Sequence, residues 1–261
     1  MVTGFDGFKE WFSGYEEQYT IIGGTACDLL LTEGGLDFRA TRDIDIVLIV
    51  ESLTPDFGAR FWEYVKEAGY EHRNKSTGEP QFYRFINPNS SDFPYMIELF
   101  SRRIESLSLP EEAVLTPLPL DDELSSLSAI LMDNDYYELL KSGKIIVDGV
   151  PIMGAEYIIP FKAKAWLDLS ARKALGEHVD KKNIRKHKND VFRMSVLLTP
   201  ETQIKLPDSV QKDINAFIKA MDTEQVDLKS LGVTAGYKED VLAIIRAAYS
   251  SLDAEQGVSD E

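Results

Sequence analysis

The run Asp43-Ile44-Asp45-Ile46-Val47-Leu48-Ile49-Val50 constrains the fold of this chain more than any other stretch. An apolar, β-branched tail of this kind reads as a strand, and suits a central strand buried on both faces. Side chains alternate along a strand, so Asp43 and Asp45 share one face while Ile44 and Ile46 take the other. Their Cα atoms then lie about 6.5–7 Å apart, near enough for both carboxylates to reach one divalent cation. Asp is a poor strand former, and two like charges on one face repel. A bound Mg²⁺ (or Mn²⁺) removes that conflict. The alternative is a strand end opening to solvent, with Arg39 or Arg42 as counter-ion.

The length, 261 residues with 44% hydrophobic content, suits one large domain or two modest ones with a real core. One cysteine, Cys27, leaves no internal disulfide and no Cys-based zinc site, and reads as a small buried hydrophobe. The three histidines (His72, His178, His187) lack helical ligand spacing. No apolar run approaches the roughly 20 residues of a membrane span, and the N-terminal residues lack the basic start and apolar core of a signal peptide. These features predict a soluble, cytoplasmic protein without membrane partners. The net charge of −16 argues against a broadly basic nucleic-acid coat.

Periodicity divides the chain near residue 150. The first part, 1–150, alternates helices and strands: helices over 5–17, 25–31, 57–69 and 136–140, strands over 19–22, 43–50, 81–86, 95–100 and 144–150, and a 124–132 stretch that fits either type. From 151 to 252 helices dominate, over about 155–175, 180–198, 208–221 and 237–251. Residues 253–261 read as a frayed acidic tail. The expected architecture is an α/β (α+β) core with a mixed sheet, followed by an all-helical half.

Further residues in the first part carry chemistry. Ile22-Gly23-Gly24-Thr25 lies between a strand and a helix, where glycines allow a ligand close to the backbone and helix-start N–H groups suit a phosphate. It is equally a tight turn with Thr25 as N-cap and Asp28 in the capping-box position. Glu98, in Met96-Ile97-Glu98-Leu99-Phe100, is a single acid in an apolar strand, expensive to bury alone. Beside the Asp43 strand it would bring three carboxylates together; at a sheet edge it would face water, paired to Arg84.

In the helical part, Lys162 lies four and seven residues from Trp166 and Leu169, so it shares an apolar helix face. A phosphate would justify a lysine there. Lys164, sharing its face with Asp168 and Ala171, reads as exposed. The 181–194 run sets Ile184, Val191 and Met194 toward the core with Lys188 beside them, and displaces Lys186 and Asp190. The lysines there are also consistent with a solvated helix face, and Asp190 with a salt bridge to Lys186 or Arg193. Trp11, Trp62 and Trp166 read as core.

Gly23-Gly24-Thr25, then Asp43-x-Asp45, then Glu98 resembles the nucleotidyltransferase superfamily that includes DNA polymerase β. The 17 residues between Thr25 and Asp43 exceed the usual gap, with the excess in 33–38, read as a surface insertion. The wider string, Gly23-Gly24-Thr25-Ala26 and Arg39-Ala40-Thr41-Arg42-Asp43-Ile44-Asp45, is similar to nucleotidyltransferases of the AbiEii/AbiGii toxin type. Lys186-x-x-x-Asp190 resembles the Lys and Asp element in that group's helical half.

The resemblance implies transfer of an NMP from an NTP to a hydroxyl acceptor with pyrophosphate release. It makes Asp43, Asp45 and Glu98 metal ligands and, with Asp190, catalytic. Gly23, Gly24, Thr25, Lys162 and Lys186 would bind the nucleotide, and Mg²⁺ (or Mn²⁺) would be the cofactor. The implied acceptor is tRNA or another macromolecule, with a cognate antitoxin as partner. The alternatives are a small-molecule enzyme, similar to those that adenylylate antibiotics, and a non-catalytic nucleotide-binding or interaction module. From Arg172 to Arg193, eight Lys/Arg stand against three acids, a local +5 suited to a phosphate backbone.

Overall fold

The computed structural model describes residues 2–39, 41–71, 84–100, 130–131, 133–234 and 236–250. Six strands, β1 (Tyr19–Ile22), β2 (Asp43–Leu48), β3 (Arg84–Ile86), β4 (Met96–Phe100), β5 (Lys144–Val147) and β6 (Val150–Met153), form one sheet in the order β3-β4-β2-β1-β6-β5. The sheet is mixed: β2 runs parallel to β4 and β1 parallel to β6, while the other three pairings are antiparallel. β2 is interior, as its apolar tail requires, with Ile44, Ile46, Val47 and Leu48 all buried.

Aromatic side chains cover one face of this sheet. Helix α1 (Phe5–Trp11) and helix α3 (Pro55–Ala68) bring Phe8, Phe12, Phe57, Phe61 and Tyr64 against Tyr19 of β1 and Phe85 of β3. Helix α2 (Gly23–Glu33) lies between β1 and β2 in the chain. Phe12 touches five rings, with centroids from 4.7 Å (Phe8) to 6.1 Å (Tyr19, Phe61). Strand alternation sets Tyr19, Ile44, Ile97 and Phe85 on this face and Asp45 and Glu98 on the other. Local chemistry fixes the ends of α3. The Thr54 hydroxyl accepts from the Phe57 N–H at 3.2 Å, and Gly69, at φ 63°, terminates it.

Two expectations change. The 5–17 helix stops at Trp11, and the chain turns through Gly14 (φ 89°) into a short 3₁₀ turn, Glu16–Gln18. The single strand expected over 144–150 is a hairpin of β5 and β6. Asp148 (φ 49°) and Gly149 (φ 78°) make the two-residue turn, whose positive φ values match the twist of paired strands. Residues 81–83 of one expected strand, most of the 124–132 stretch, Ala40 of the signature, His72 and the 253–261 tail lie outside the described residues.

The chain divides into two compact units, one of 1–132 with 141–154, the other of 133–140 with 155–261. The second is built from the first part of α4 (Asn134–Ser142), α5 (Ala155–Ala174), α6 (Lys181–Met194), α7 (Asp208–Ala220) and α8 (Lys238–Ala248). Sequence periodicity assigns 136–140 to the first part. The structure groups these residues with the helices because Tyr136 packs edge-on to Phe161 (5.2 Å) and its hydroxyl donates to Asp213 at 3.0 Å. Trp166, edge-on to Phe217 at 5.4 Å, belongs to the same core. No helix among the described residues is long and apolar enough to cross a membrane.

Truncating Phe12 removes a ring at the centre of the aromatic layer. Phe12→Ala is expected to destabilise the first unit by about 3–5 kcal/mol, read from denaturant unfolding, whereas Trp11→Phe should cost far less.

Candidate functional site

Strand register brings the dispersed acids together. Parallel pairing of β2 with β4 sets Asp45 directly opposite Glu98, and antiparallel pairing of β3 with β4 sets Arg84 opposite Glu98 on the far side. Directly opposed residues lie on one face, so Arg84, Glu98 and Asp45 form a row across three strands. Asp43, half-buried, lies one alternation along the same face, opposite Met96. The Arg84 guanidinium donates twice to Glu98 Oε1, from Nε at 2.8 Å and from an Nη at 2.7 Å.

Glu98 is only 8% exposed. Burial, followed by the negative charge of Asp45, pushes its carboxyl up to about 9, and a hydrogen bond with Asp45 acts in the same direction while Arg84 opposes it. Near neutral pH this favours the protonated form of Glu98. This is neither the water-facing edge glutamate nor a set of three bare anions. Glu98 has the expected Arg84 partner, but buried.

The glycine turn is built around Asp45. Gly23 has φ +70°, and a Cβ there would lie 1.7 Å from Asp45 Oδ2, so only glycine lets the backbone pass the carboxylate. A Cβ on Gly24 would lie 2.8 Å from the Thr41 hydroxyl and 3.6 Å from the Arg39 guanidinium. Thr25 is buried, and its hydroxyl donates to the Asp43 carbonyl at 2.6 Å. It therefore does not cap the helix: α2 starts at Gly23, Ile22 holds the N-cap position, and no side chain caps that end. The hydroxyl expected to meet a phosphate instead ties the helix start to the head of β2. Residues 32–37 are all exposed, so the long gap before Asp43 is taken up at the surface.

Among the described residues, no group of three His, Cys, Asp or Glu side chains is arranged to hold an ion. Asp45 and Glu98 nevertheless have the donor chemistry for one. They are hard oxygen ligands on neighbouring strands, and a divalent cation would displace the Glu98 proton. The pair fits such an ion, with Asp43 as the next oxygen donor on that face.

The remaining expected residues belong to the second unit. Lys162 is buried at 7% exposure, as its place on an apolar helix face requires, and its ammonium pairs with Asp190 at 3.4 Å. Asp190 is fully buried, not displaced from the core, and Arg193 also reaches it at 3.4 Å. Two cations compensate this carboxylate, as a buried anion needs. Lys186 is half-buried. Lys188 is buried and donates to Glu224 and the Gln225 carbonyl, partners more than thirty residues away that no local spacing announces. Arg172 pairs with Glu177, which leaves Lys181, Lys182 and Arg185 as the exposed cations on the first turns of α6.

No protein-family model, no curated protein and no solved structure matches this chain.

Two measurements test this geometry. Gly35 also has positive φ (+71°) but has no atom within 4 Å of a would-be Cβ. Gly35→Ala should therefore cost only the left-handed penalty of about 1–2 kcal/mol, and Gly23→Ala clearly more, because Asp45 must also move. The second concerns Glu98. Its folded pKa lies above the ordinary value of 4.5, so between pH 5 and 9 the unfolded chain binds fewer protons and stability falls as pH rises. Glu98→Gln does not titrate. In metal-free buffer its melting temperature relative to the native chain is expected to rise steadily across that range; a constant difference would contradict a buried, protonated Glu98.

Proposed function

We propose that this chain is a metal-dependent nucleotidyltransferase, moving an NMP from an NTP to a hydroxyl acceptor with release of pyrophosphate. One observation carries the reading. The three segments that the resemblance makes functional, far apart in sequence, meet at Asp45, which lies against the Gly23 backbone and opposite Glu98. A packing-only role for these residues leaves the adjacent acids without a reason.

In this reading Asp45 and Glu98, with Asp43, hold a divalent ion. Once bound, the ion supplies charge stabilisation at the α-phosphorus and on the departing pyrophosphate. The Gly23-Gly24 backbone gives the phosphates a close, uncapped helix start. Arg84 fixes the Glu98 carboxylate, which once ionised is placed to complete the ion's oxygen ligands and to take the acceptor's hydroxyl proton. The Thr25 hydroxyl positions Asp43 through its carbonyl, while the backbone at Gly23, Gly24 and Thr25 meets the phosphates. Lys162 and Asp190 neutralise each other within the helical unit. The proposed acceptor is the 3′ hydroxyl of a tRNA, with a cognate antitoxin as protein partner in the cytoplasm; this part rests on the resemblance alone.

Incubating the protein with each labelled NTP, Mg²⁺ and total tRNA tests the proposal. Label is expected on RNA, and Asp43→Asn and Asp45→Asn should each lower transfer by about 10²-fold or more while circular dichroism stays native. Full transfer by either variant would sink the assignment. Label confined to a small acceptor would point to the antibiotic-modifying type of enzyme, and binding without pyrophosphate release to a non-catalytic module.

A further inference from the structure

The first unit carries an open cavity of about 530 Å³ whose walls include Thr3, Arg42, Asn89, Ser91, Phe93 and Tyr95. It is built onto the C-terminal end of α3. The Asn89 N–H donates to the Ala68 carbonyl at 2.8 Å, and Phe93 packs edge-on to Tyr64 at 5.3 Å. A Cβ on Gly69 would lie 1.8 Å from the Asn89 amide, and one on Gly4 would lie 2.4 Å from the Phe93 backbone. Both walls are thus pressed into place by glycine contacts. Since α3 covers the aromatic face of the sheet, the cavity is built on the side away from Asp45 and Glu98.

Its chemistry is specific. Among the described residues, the lining contains one charged side chain, Arg42, and no carboxylate. The Arg42 guanidinium makes no hydrogen bond or ion pair with any described residue, in a chain whose net charge is −16. The Thr3, Ser91 and Tyr95 hydroxyls and the Asn89 side-chain amide are likewise unengaged among the described residues. A planar guanidinium recognises a phosphate through paired N–H donors, and neutral hydroxyl and amide groups match the hydroxyls of a sugar. A single cation does not balance a triphosphate, and Pro88, Phe93 and Tyr95 in the lining give a sugar or base ring an apolar surface to pack on.

We propose that this cavity binds a phosphorylated sugar. The phosphate sits on Arg42, the sugar hydroxyls meet Asn89, Ser91 and Thr3, and Tyr95 and Phe93 flank the ring. The same chemistry is found in a free sugar phosphate and in a nucleoside monophosphate, and the volume admits either.

Calorimetric titration of the full chain in EDTA separates this site from one that needs a divalent ion. AMP, ribose 5-phosphate, ribose and inorganic phosphate are the probes. At least one of the two phosphorylated riboses is expected to saturate a single site at least tenfold more tightly than ribose or inorganic phosphate. Tighter AMP identifies a nucleotide ligand, and equal or tighter ribose 5-phosphate identifies a sugar phosphate. Arg42→Gln removes the cation and Ser91→Trp fills the cavity, both at exposed positions; each should weaken binding at least tenfold with an unchanged far-ultraviolet circular-dichroism spectrum and melting temperature. Asp45→Asn should leave it unaltered. The proposal is overturned if neither phosphorylated ribose binds, if inorganic phosphate binds as tightly, if Arg42→Gln and Ser91→Trp bind normally, or if Asp45→Asn abolishes binding. Because no transfer is measured, the outcome is independent of whether the chain is a nucleotidyltransferase.

Discussion

The Asp45 carboxylate occupies the space that a side chain on residue 23 would fill. The first unit is arranged around that exclusion. The backbone must take a left-handed conformation at Gly23, which turns the chain from β1 into α2 against the head of β2. Thr25, two residues on, then reaches the Asp43 carbonyl and holds the helix start and the strand in register. On the other side of β2, pairing with β4 faces Asp45 with a second acid, and Arg84 supplies the one cation in the row. The buried Glu98 carboxyl is tolerated beside the half-buried Asp45 because its surroundings favour its protonated form and a guanidinium anchors it.

Part of this arrangement is legible from residues alone. The period-2 alternation of Asp43-Ile44-Asp45-Ile46 puts both aspartates on one face without reference to any other segment, and adjacent glycines mark a close backbone approach. Glu98 is different. Its approach to Asp45 depends on the register between strands more than fifty residues apart in sequence, which no local pattern encodes. The β5–β6 hairpin is overlooked because apolar residues flank the turn on both sides, although Asp148-Gly149 is itself a strong hairpin signal. Thr25 is misread for a related reason. A Thr at a helix start is ordinarily a cap, and only the long-range acceptor on Asp43 reveals its other use.

The helical unit shows how charge counting misleads. A local excess of cations reads as a surface strip, yet Lys188 is buried and committed to Glu224, Arg172 pairs with Glu177, and Arg193 reaches a fully buried aspartate. Periodicity identifies the buried face for Lys162, whose neighbours Trp166 and Leu169 are apolar. It fails for Asp190, because a lone carboxylate among lysines looks solvated until its cations are located. The exposed remainder, Lys181, Lys182 and Arg185, is a much smaller feature than the sequence total implies.

The tie between Thr25 and Asp43 has a consequence for how such chains vary. The two elements are held by a hydroxyl and a carbonyl, not by the length of chain joining them, and residues 34–37 loop out into solvent. Closing a longer flexible loop costs only about 0.6 kcal/mol per doubling of its length. Distance along the sequence between the glycine turn and the paired aspartates is therefore almost free to drift, while the contact between them is not. Comparisons that score spacing penalise what costs the molecule little and overlook the bond that holds the turn to the strand.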